Sequence, residues 1–156
     1  MTPPPYSHDR RALAWVAGHL HQQRVVGYPD LIAEGRLTQA AADRALRISN
    51  AIAADWAAIA AVAPAPGWID NVEQGGAHKW ERIQTLSGMA DRTRAGADDK
   101  PEDAELCAIA DCVDALLWWE TEKPCARFLA DLTIELRARA AADRASSSPA
   151  NIGVAA

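Results

Sequence analysis

Phenylalanine, tyrosine and cysteine are scarce in this chain. Beside six Trp there are one Phe and two Tyr, and the three cysteines, Cys107, Cys112 and Cys125, do not have the spacing of a metal site. No apolar run approaches the roughly 18 residues that a membrane helix requires, and no alternating segment is long enough for a strand. The sequence therefore predicts no disulfide, no membrane span and no sheet.

The first residues and the charge balance restrict the location and the partners of the protein. Residues 1–6, Met-Thr-Pro-Pro-Pro-Tyr, have neither the basic nor the apolar region of a signal peptide. An odd number of cysteines in such a chain is typical of reduced thiols, so we expect a cytoplasmic protein. Sixteen basic and twenty-one acidic residues give a net charge of -5, which argues against nucleic acid as a partner.

What the chain does contain is alanine and helical periodicity. The clearest helix is predicted at residues 101–122, where Pro101 suits the first helical position and Asp98 or Asp99 the N-cap. Its apolar residues recur at steps of three and four and form one stripe, which comprises Leu106, Ile109, Ala110, Val113, Leu116 and Leu117. Such a stripe must pack against other helices.

The whole pattern predicts an all-α, single-domain bundle of about five helices around a core of Ala, Leu, Ile and Trp. The predicted helices cover residues 8–24, 39–62, 77–90, 101–122 and 124–143. Ser7 and Thr38 are the expected N-caps of the first two. Pro29 is expected to follow the end of the first helix and to open a short separate turn, and residues 91–100 are expected to form a connector.

The end of the chain is predicted to be a helical hairpin followed by a tail. Lys123-Pro124 should reverse the chain, so that the last two helices pack antiparallel. The last helix carries an apolar stripe, which comprises Cys125, Phe128, Leu129, Leu132 and Leu136. Residues 1–6 are expected to be a flexible leader and residues 145–156 a disordered tail, which leaves residues 7–144 as the helical domain.

The histidines and other reactive residues form no chelating or catalytic pattern. His19 and His21 are two positions apart, so on a helix they point about 200° apart and cannot bind one ion from one face. No Ser-His-Asp set, Gly-rich phosphate loop or nucleophile elbow is recognisable. We therefore assign no catalytic residue, no metal ligand and no cofactor.

An acidic segment of the 101–122 helix provides an enzymatic alternative. The run Ala110-Asp111-Cys112-Val113-Asp114-Ala115-Leu116-Leu117-Trp118 resembles the second acidic motif of MazG-like nucleotide pyrophosphohydrolases, which are all-helical. The resemblance implies that Asp111 and Asp114 hold Mg²⁺ against a triphosphate, since this ion prefers oxygen ligands. The Glu-Glu-x-x-Glu run of that family has no counterpart here. The other interpretation is a solvated acidic strip opposite the apolar stripe.

A second resemblance is to the repressor-type helix-turn-helix. It depends on Leu37-Thr38-Gln39, Leu46, Ile48-Ser49 and Trp56. The resemblance implies a DNA-binding regulator that would use Arg44 and Arg47. However, Arg47 stands where the family has its turn glycine, and Asp43 stands where it has a small buried alanine. One continuous helix accounts for the same spacing.

A third resemblance is to small proteins of unknown function that are encoded by bacteriophages and prophages. The segments that carry it are Tyr28-Pro29-Asp30-Leu31-Ile32, Gly35-Arg36-Leu37-Thr38 and Ala42-Asp43-Arg44. The resemblance implies a phage or prophage origin, and therefore a bacterial host cell as the location. It implies no activity.

Adjacent tryptophans in the 101–122 helix suggest a contact surface. Trp118 falls on the side of Asp111 and Asp114, whereas Trp119 falls on the side of Cys112, so both cannot lie in the apolar stripe. Either this helix is buried on nearly all sides, or one indole belongs to an interface, where Trp is enriched. We predict a non-catalytic phage or prophage accessory protein that binds a host or defence protein, or a second copy of itself. The candidate binding residues are Trp118, Trp119, Asp111 and Asp114.

Overall fold

The computed structural model describes residues 2–122 and 125–147, and in these residues the chain is helical without any strand. The α-helices are α1 (Arg10–Ala33), α2 (Gln39–Ala61), α3 (Lys79–Asp99), α4 (Ala104–Thr121) and α5 (Ala126–Ser147). A short 3-10 helix, Val72–Gln74, lies in the loop between α2 and α3. The predicted all-α bundle is confirmed. None of these helices combines the length and the apolar character that a membrane crossing requires.

The first four helices form an antiparallel bundle. α1 packs on α2 and α4, and α3 packs on the same two helices from the other side. Short connections join α1 to α2 and α3 to α4, as expected for antiparallel neighbours. The residue pairs that meet between neighbouring helices are His21–Ser49, Arg47–Glu81, Arg94–Asp111 and Arg82–Glu120.

The core runs along the bundle axis and combines a few large residues with many small ones. The large apolar side chains that are almost fully buried are Trp56, Leu13, Ile59, Leu86, Leu116 and Val113. Ala51, Ala110 and Ala115 lie between them without any exposed surface, which lets the helices approach closely. Ile69 and Trp68 of the loop after α2 pack onto this core.

Aspartate and threonine side chains fix the starts of three helices. Thr38 caps α2 as predicted, because its hydroxyl accepts a hydrogen bond from the amide of Ala41 at 3.2 Å. The N-cap of α1 is Asp9 and not Ser7, since the Asp9 carboxylate accepts from the amide of Ala12 at 3.0 Å. Asp103 caps α4.

α1 continues through Pro29, so the predicted break at this residue is wrong. Proline lacks the N–H that would bond to the carbonyl four residues earlier, which is that of Val25. Val25 and Pro29 are both exposed, so water can solvate the carbonyl that is left free. Tyr28 and Leu31 lie on the other side of the helix, where they line a groove between α1 and α3.

α3 is longer than predicted and includes most of the expected connector at 91–100. The polar sequence favours a loop, but tertiary contacts override this preference. Arg94 binds Asp111 of α4 at 2.7 Å, and Ala97 is buried. Asp98 and Asp99 therefore belong to α3, and neither caps α4.

α5 contacts the bundle through its first turns and then leaves it. Ala126 and Ala130 are buried, whereas every residue from 135 to 147 is exposed. The contacts of α5 are mainly with α2, so the predicted hairpin in which α5 packs along α4 is wrong. The helix extends to Ser147, beyond the predicted end at 143. The predicted break at Lys123-Pro124 and most of the predicted tail lie outside the described residues.

Candidate functional site

Trp119, a predicted binding residue, belongs to the protein interior. Its side chain is 8% exposed, and its indole Nε1 donates a hydrogen bond to the backbone carbonyl of Ser7 at 2.6 Å. The ring also meets His8 and Trp118 edge to face. Trp119 therefore attaches the segment before α1 to α4, and it offers no surface to a partner.

Trp118 is half-buried and lines a groove of about 440 Å³. Pro4, Ile83 and Leu117 line the same groove, so the first residues of the chain cover part of α4. The indole Nε1 of Trp118 is buried and has no hydrogen-bond acceptor within residues 2–122 and 125–147. α4 is thus covered on most of its sides, which was one of the two alternatives that the sequence left open.

Asp111 and Asp114 hold α3 and α4 together. They lie about one turn apart on α4, and both accept hydrogen bonds from the guanidinium of Arg94, at 2.7 and 2.5 Å. The bonds to Asp111 and Asp114 raise the pKa of Arg94 above its ordinary value. The described residues contain no group of three or more His, Cys, Asp or Glu side chains placed to hold a metal ion. The geometry therefore gives no support to the pyrophosphohydrolase alternative.

The residues of the helix-turn-helix alternative also have structural contacts. α2 is unbroken from Gln39 to Ala61, so the turn that this motif needs near Arg47 is absent. The Arg47 guanidinium donates to the carboxylate of Glu81 at 2.7 and 3.2 Å and to the carbonyl of Gly76 at 2.5 Å. The Arg44 guanidinium lies 5.7 Å from the centre of the Trp80 ring. The DNA-binding alternative has no geometric support.

An ionic cluster of the largely buried Arg82 and Glu120 with the exposed Asp70 attaches the α2–α3 loop to the bundle. Arg82, near the start of α3, donates to Glu120 of α4 at 3.2 Å, to Asp70 of the loop at 2.7 Å and to the carbonyl of Ala77 at 3.0 Å. Burial raises the pKa of the Glu120 carboxyl, and the charge of Arg82 opposes this effect. Since each charge has a partner, this cluster is structural.

Arg127 fixes the direction in which α5 leaves the bundle. Its guanidinium binds the buried carboxylate of Asp55 on α2, with an Nε–Oδ1 distance of 2.8 Å. It also donates to the backbone carbonyls of Asp55 at 3.1 Å and Ala63 at 3.3 Å. These bonds connect the first turn of α5 to the end of α2. The rest of the helix has no comparable anchor in the described structure.

Three large apolar side chains on α5 lie uncovered. Phe128, Leu132 and Leu136 are 55%, 39% and 53% exposed, and their spacing of four residues places them in one row. We call these three residues the α5 stripe. Their predicted burial is wrong, because α5 turns the small side chains of Ala126 and Ala130 towards α2 instead. Ala126 and Ala130 are also four residues apart, and this spacing was the signal in the sequence for the face of α5 that packs on α2.

Comparisons with protein-family models, curated proteins and solved structures find no match to this chain. The contacts and surfaces of the chain itself are therefore the basis for a functional proposal.

Proposed function

We propose that this protein acts by binding another protein, and that the α5 stripe is the contact surface. The observation that carries the proposal is the exposure of Phe128, Leu132 and Leu136 together on a helix that leaves the bundle. Grouped apolar side chains at this spacing are typical of helices that dock into a groove or against a second helix. The earlier candidates Trp118, Trp119, Asp111 and Asp114 are assigned to packing instead.

The energetics of α5 favour a bound state. Most helical stability in proteins comes from tertiary packing, and the part of α5 beyond residue 134 has only exposed side chains. The pairs Arg127–Asp131 and Arg139–Glu135 contribute only about 0.3–0.5 kcal/mol each. Covering the exposed half of each stripe residue would contribute roughly 1 kcal/mol per side chain. A partner would therefore stabilise the helix as well as the complex.

The charges of α5 favour a second copy of the chain as the partner. In the first half of the helix Asp131 and Glu135 accompany Arg127, whose charge is paired with Asp55 of α2, whereas the second half has Arg137, Arg139 and Arg144 against the single Asp143. If two copies paired antiparallel about a two-fold axis, the acidic half of each would face the basic half of the other. The same pattern would accept a helix of another protein with similar charges.

The test is a stripe variant in which Phe128, Leu132 and Leu136 are all changed to Ser. Light scattering over a concentration series should show the wild-type mass rising towards that of a dimer, while the variant stays monomeric. The matched control changes Val26 to Ser, because Val26 is 68% exposed on α1, away from the stripe. Circular dichroism checks that the bundle remains folded, which we expect because the stripe lies outside the core.

Affinity capture from a bacterial lysate separates self-association from binding to another protein. The resemblance of residues 28–44 to phage and prophage proteins suggests this lysate, and a phage or prophage origin is part of the proposal. A monomeric wild type that captures a protein which the stripe variant loses would support binding through α5 to a host protein. Identical masses and identical captured proteins for the wild type and the stripe variant would refute the proposed function.

A further inference from the structure

Two grooves on the bundle surface meet at the same three side chains. One groove, of about 310 Å³, lies between α1 and α3, and the other, of about 390 Å³, is lined by α1, α2 and α3. Arg24, Tyr28 and Arg92 line both grooves. We call the combined feature the arginine groove. It lies near the start of α2, whereas α5 is attached at the opposite end of that helix.

Arg24 has an unusual position for a charged side chain. Its Nη1 is buried, and it has no hydrogen-bond acceptor in the described part of the chain. No carboxylate oxygen of residues 2–122 and 125–147 lies within 4.0 Å of Arg24 or Arg92. Burial lowers the pKa of Arg24, and the nearby charge of Arg92 adds to this effect.

Other partly or largely buried arginines of the bundle differ from Arg24 in this respect. Arg47 pairs with Glu81, Arg82 with Glu120 and Arg127 with Asp55. A partly buried guanidinium without a counter-charge loses hydration that no anion compensates, and Nη1 of Arg24 is the atom that water does not reach. Arg24 also lines both grooves, so an anion from outside the chain can approach its guanidinium there and supply the missing counter-charge.

The groove has the chemistry of a site for a small anion. Two guanidinium groups without carboxylate partners match the charge of a phosphate monoester, which is about -1.5 to -2 at neutral pH. Guanidinium groups bind phosphate oxygens through paired hydrogen bonds. Tyr28 adds a phenolic hydroxyl, and Leu20 and Met89 provide apolar surface for the group that carries the phosphate.

We infer that the arginine groove binds a small molecule that carries a phosphate monoester. The groove volumes and the net charge of -5 favour a discrete anion over a long nucleic acid, which needs an extended basic surface. This site is independent of the α5 stripe, so the two proposals can fail separately.

Glycines give access to the groove from two helices. A Cβ at Gly27 would meet no other atom within 4 Å, so a larger residue there would occupy the groove without a clash. A Cβ at Gly88 would lie 3.3 Å from Nη1 of Arg92, which shows that the Arg92 side chain passes over this glycine. Gly27 can therefore be used to block the site and leave the core unchanged.

The experiment titrates the full chain with inorganic phosphate and with adenosine monophosphate at constant ionic strength, with chloride as the reference. Binding is followed by calorimetry and by the thermal midpoint. The test variants are Arg24→Met and Gly27→Leu. Their matched controls on the same helix are Arg11→Met, an exposed position outside the groove, and Gly18→Leu, where a Cβ also meets nothing within 4 Å.

Phosphate and adenosine monophosphate should raise the thermal midpoint of the wild type and of both controls. Arg24→Met should weaken their binding by roughly tenfold or more, since a charge-assisted contact is lost. Without any ligand, Arg24→Met should keep or raise the thermal midpoint, because a partly buried charge without a carboxylate partner is removed. If Arg24 had only a structural role, Arg24→Met would lower the thermal midpoint. Gly27→Leu should also weaken binding and should not lower the midpoint.

Three results would overturn the inference. The first is a wild-type response to phosphate and adenosine monophosphate no larger than the response to chloride. The second is equal binding by Arg24→Met and Arg11→Met. The third is binding of a long oligonucleotide without binding of either small anion, which would indicate an extended polyanion surface. Tighter binding of adenosine monophosphate than of phosphate would show that the apolar end of the groove is used.

Discussion

Replacing Glu81 by Gln should lower the free energy of unfolding by about 3 kcal/mol at neutral pH. The buried Glu81 carboxylate accepts hydrogen bonds from Arg47 and from the backbone amide of His78, the latter at 3.0 Å. The bond from Arg47 is the main reason why the pKa of Glu81 falls from 4.5 to about 2. Each pKa unit corresponds to about 1.4 kcal/mol of differential stability, which gives the expected magnitude.

The pH dependence of this effect separates charge from shape. Because the folded-state pKa of Glu81 lies below the unfolded value, its stabilisation is complete above pH 4.5 and is lost as the pH falls towards 2. Urea unfolding of wild type and Glu81→Gln should therefore show a large difference in the free energy of unfolding at neutral pH and a small difference near pH 2. The control is Glu34→Gln, because Glu34 pairs with Arg36 in an exposed position. We expect it to change stability by less than about 0.5 kcal/mol.

Two outcomes would refute this reasoning. A wild-type advantage of the same size in acid and at neutral pH would mean that the Glu81 charge is not its source. A loss below about 1 kcal/mol at neutral pH would mean that desolvation of the Arg47–Glu81 pair offsets its attraction.

Further predictions concern backbone space, indole hydrogen bonds and a histidine. Gly76→Ala should destabilise the fold by about 2 kcal/mol or more, since a Cβ there would lie 2.5 Å from the Ile69 carbonyl oxygen. Gly96→Ala should instead stabilise α3 by about 0.5–1 kcal/mol, because a Cβ at Gly96 meets no atom within 4 Å. The midpoints of denaturant unfolding measure both changes. Trp119→Phe should lose about 1 kcal/mol with its hydrogen bond, and Trp118→Phe should lose less because its Nε1 has no acceptor in the described structure. Burial lowers the pKa of His21, so stability should fall as the pH drops through the ordinary histidine range, and His21→Gln should reduce this slope in unfolding curves.

The sequence predicted the fold where local and tertiary preferences agree. α2 was predicted almost to the residue, because Thr38 is a strong cap and Ile48, Ile52 and Ile59 recur on the buried face. The prediction was wrong at Pro29 and in residues 91–100, where local preference favours a break. At Pro29 the helix continues because water can solvate the free carbonyl of Val25. In residues 91–100 the contacts of Arg94 and the burial of Ala97 maintain the helix, and a single sequence does not show which helix will be the neighbour.

The candidate sites were harder to predict because they depend on which face of a helix is covered. α5 has two possible faces, and the apolar pattern alone favoured burial of the larger one, with Phe128 and Leu136. The arginine groove has no local motif, since Arg24 and Arg92 lie far apart in the sequence and line one groove only after α1 and α3 have both packed on α2. Trp118 and Trp119 illustrate the reverse case, in which a prominent sequence feature serves packing.

Because α5 is attached to the bundle only at its first turns, the length of the helix sets the distance between the bundle and the outer residues of α5. From Ala130 to Ser147 a helix rises by about 25 Å, so a partner held near Leu136 would stand at a set distance from the bundle wall. Inserting one residue after Ala130 would turn the outer part of the rod by about 100°, while inserting a full turn would only lengthen it by about 5 Å. The number of residues in this segment therefore controls how far from the bundle, and in which direction, the helix presents Leu136.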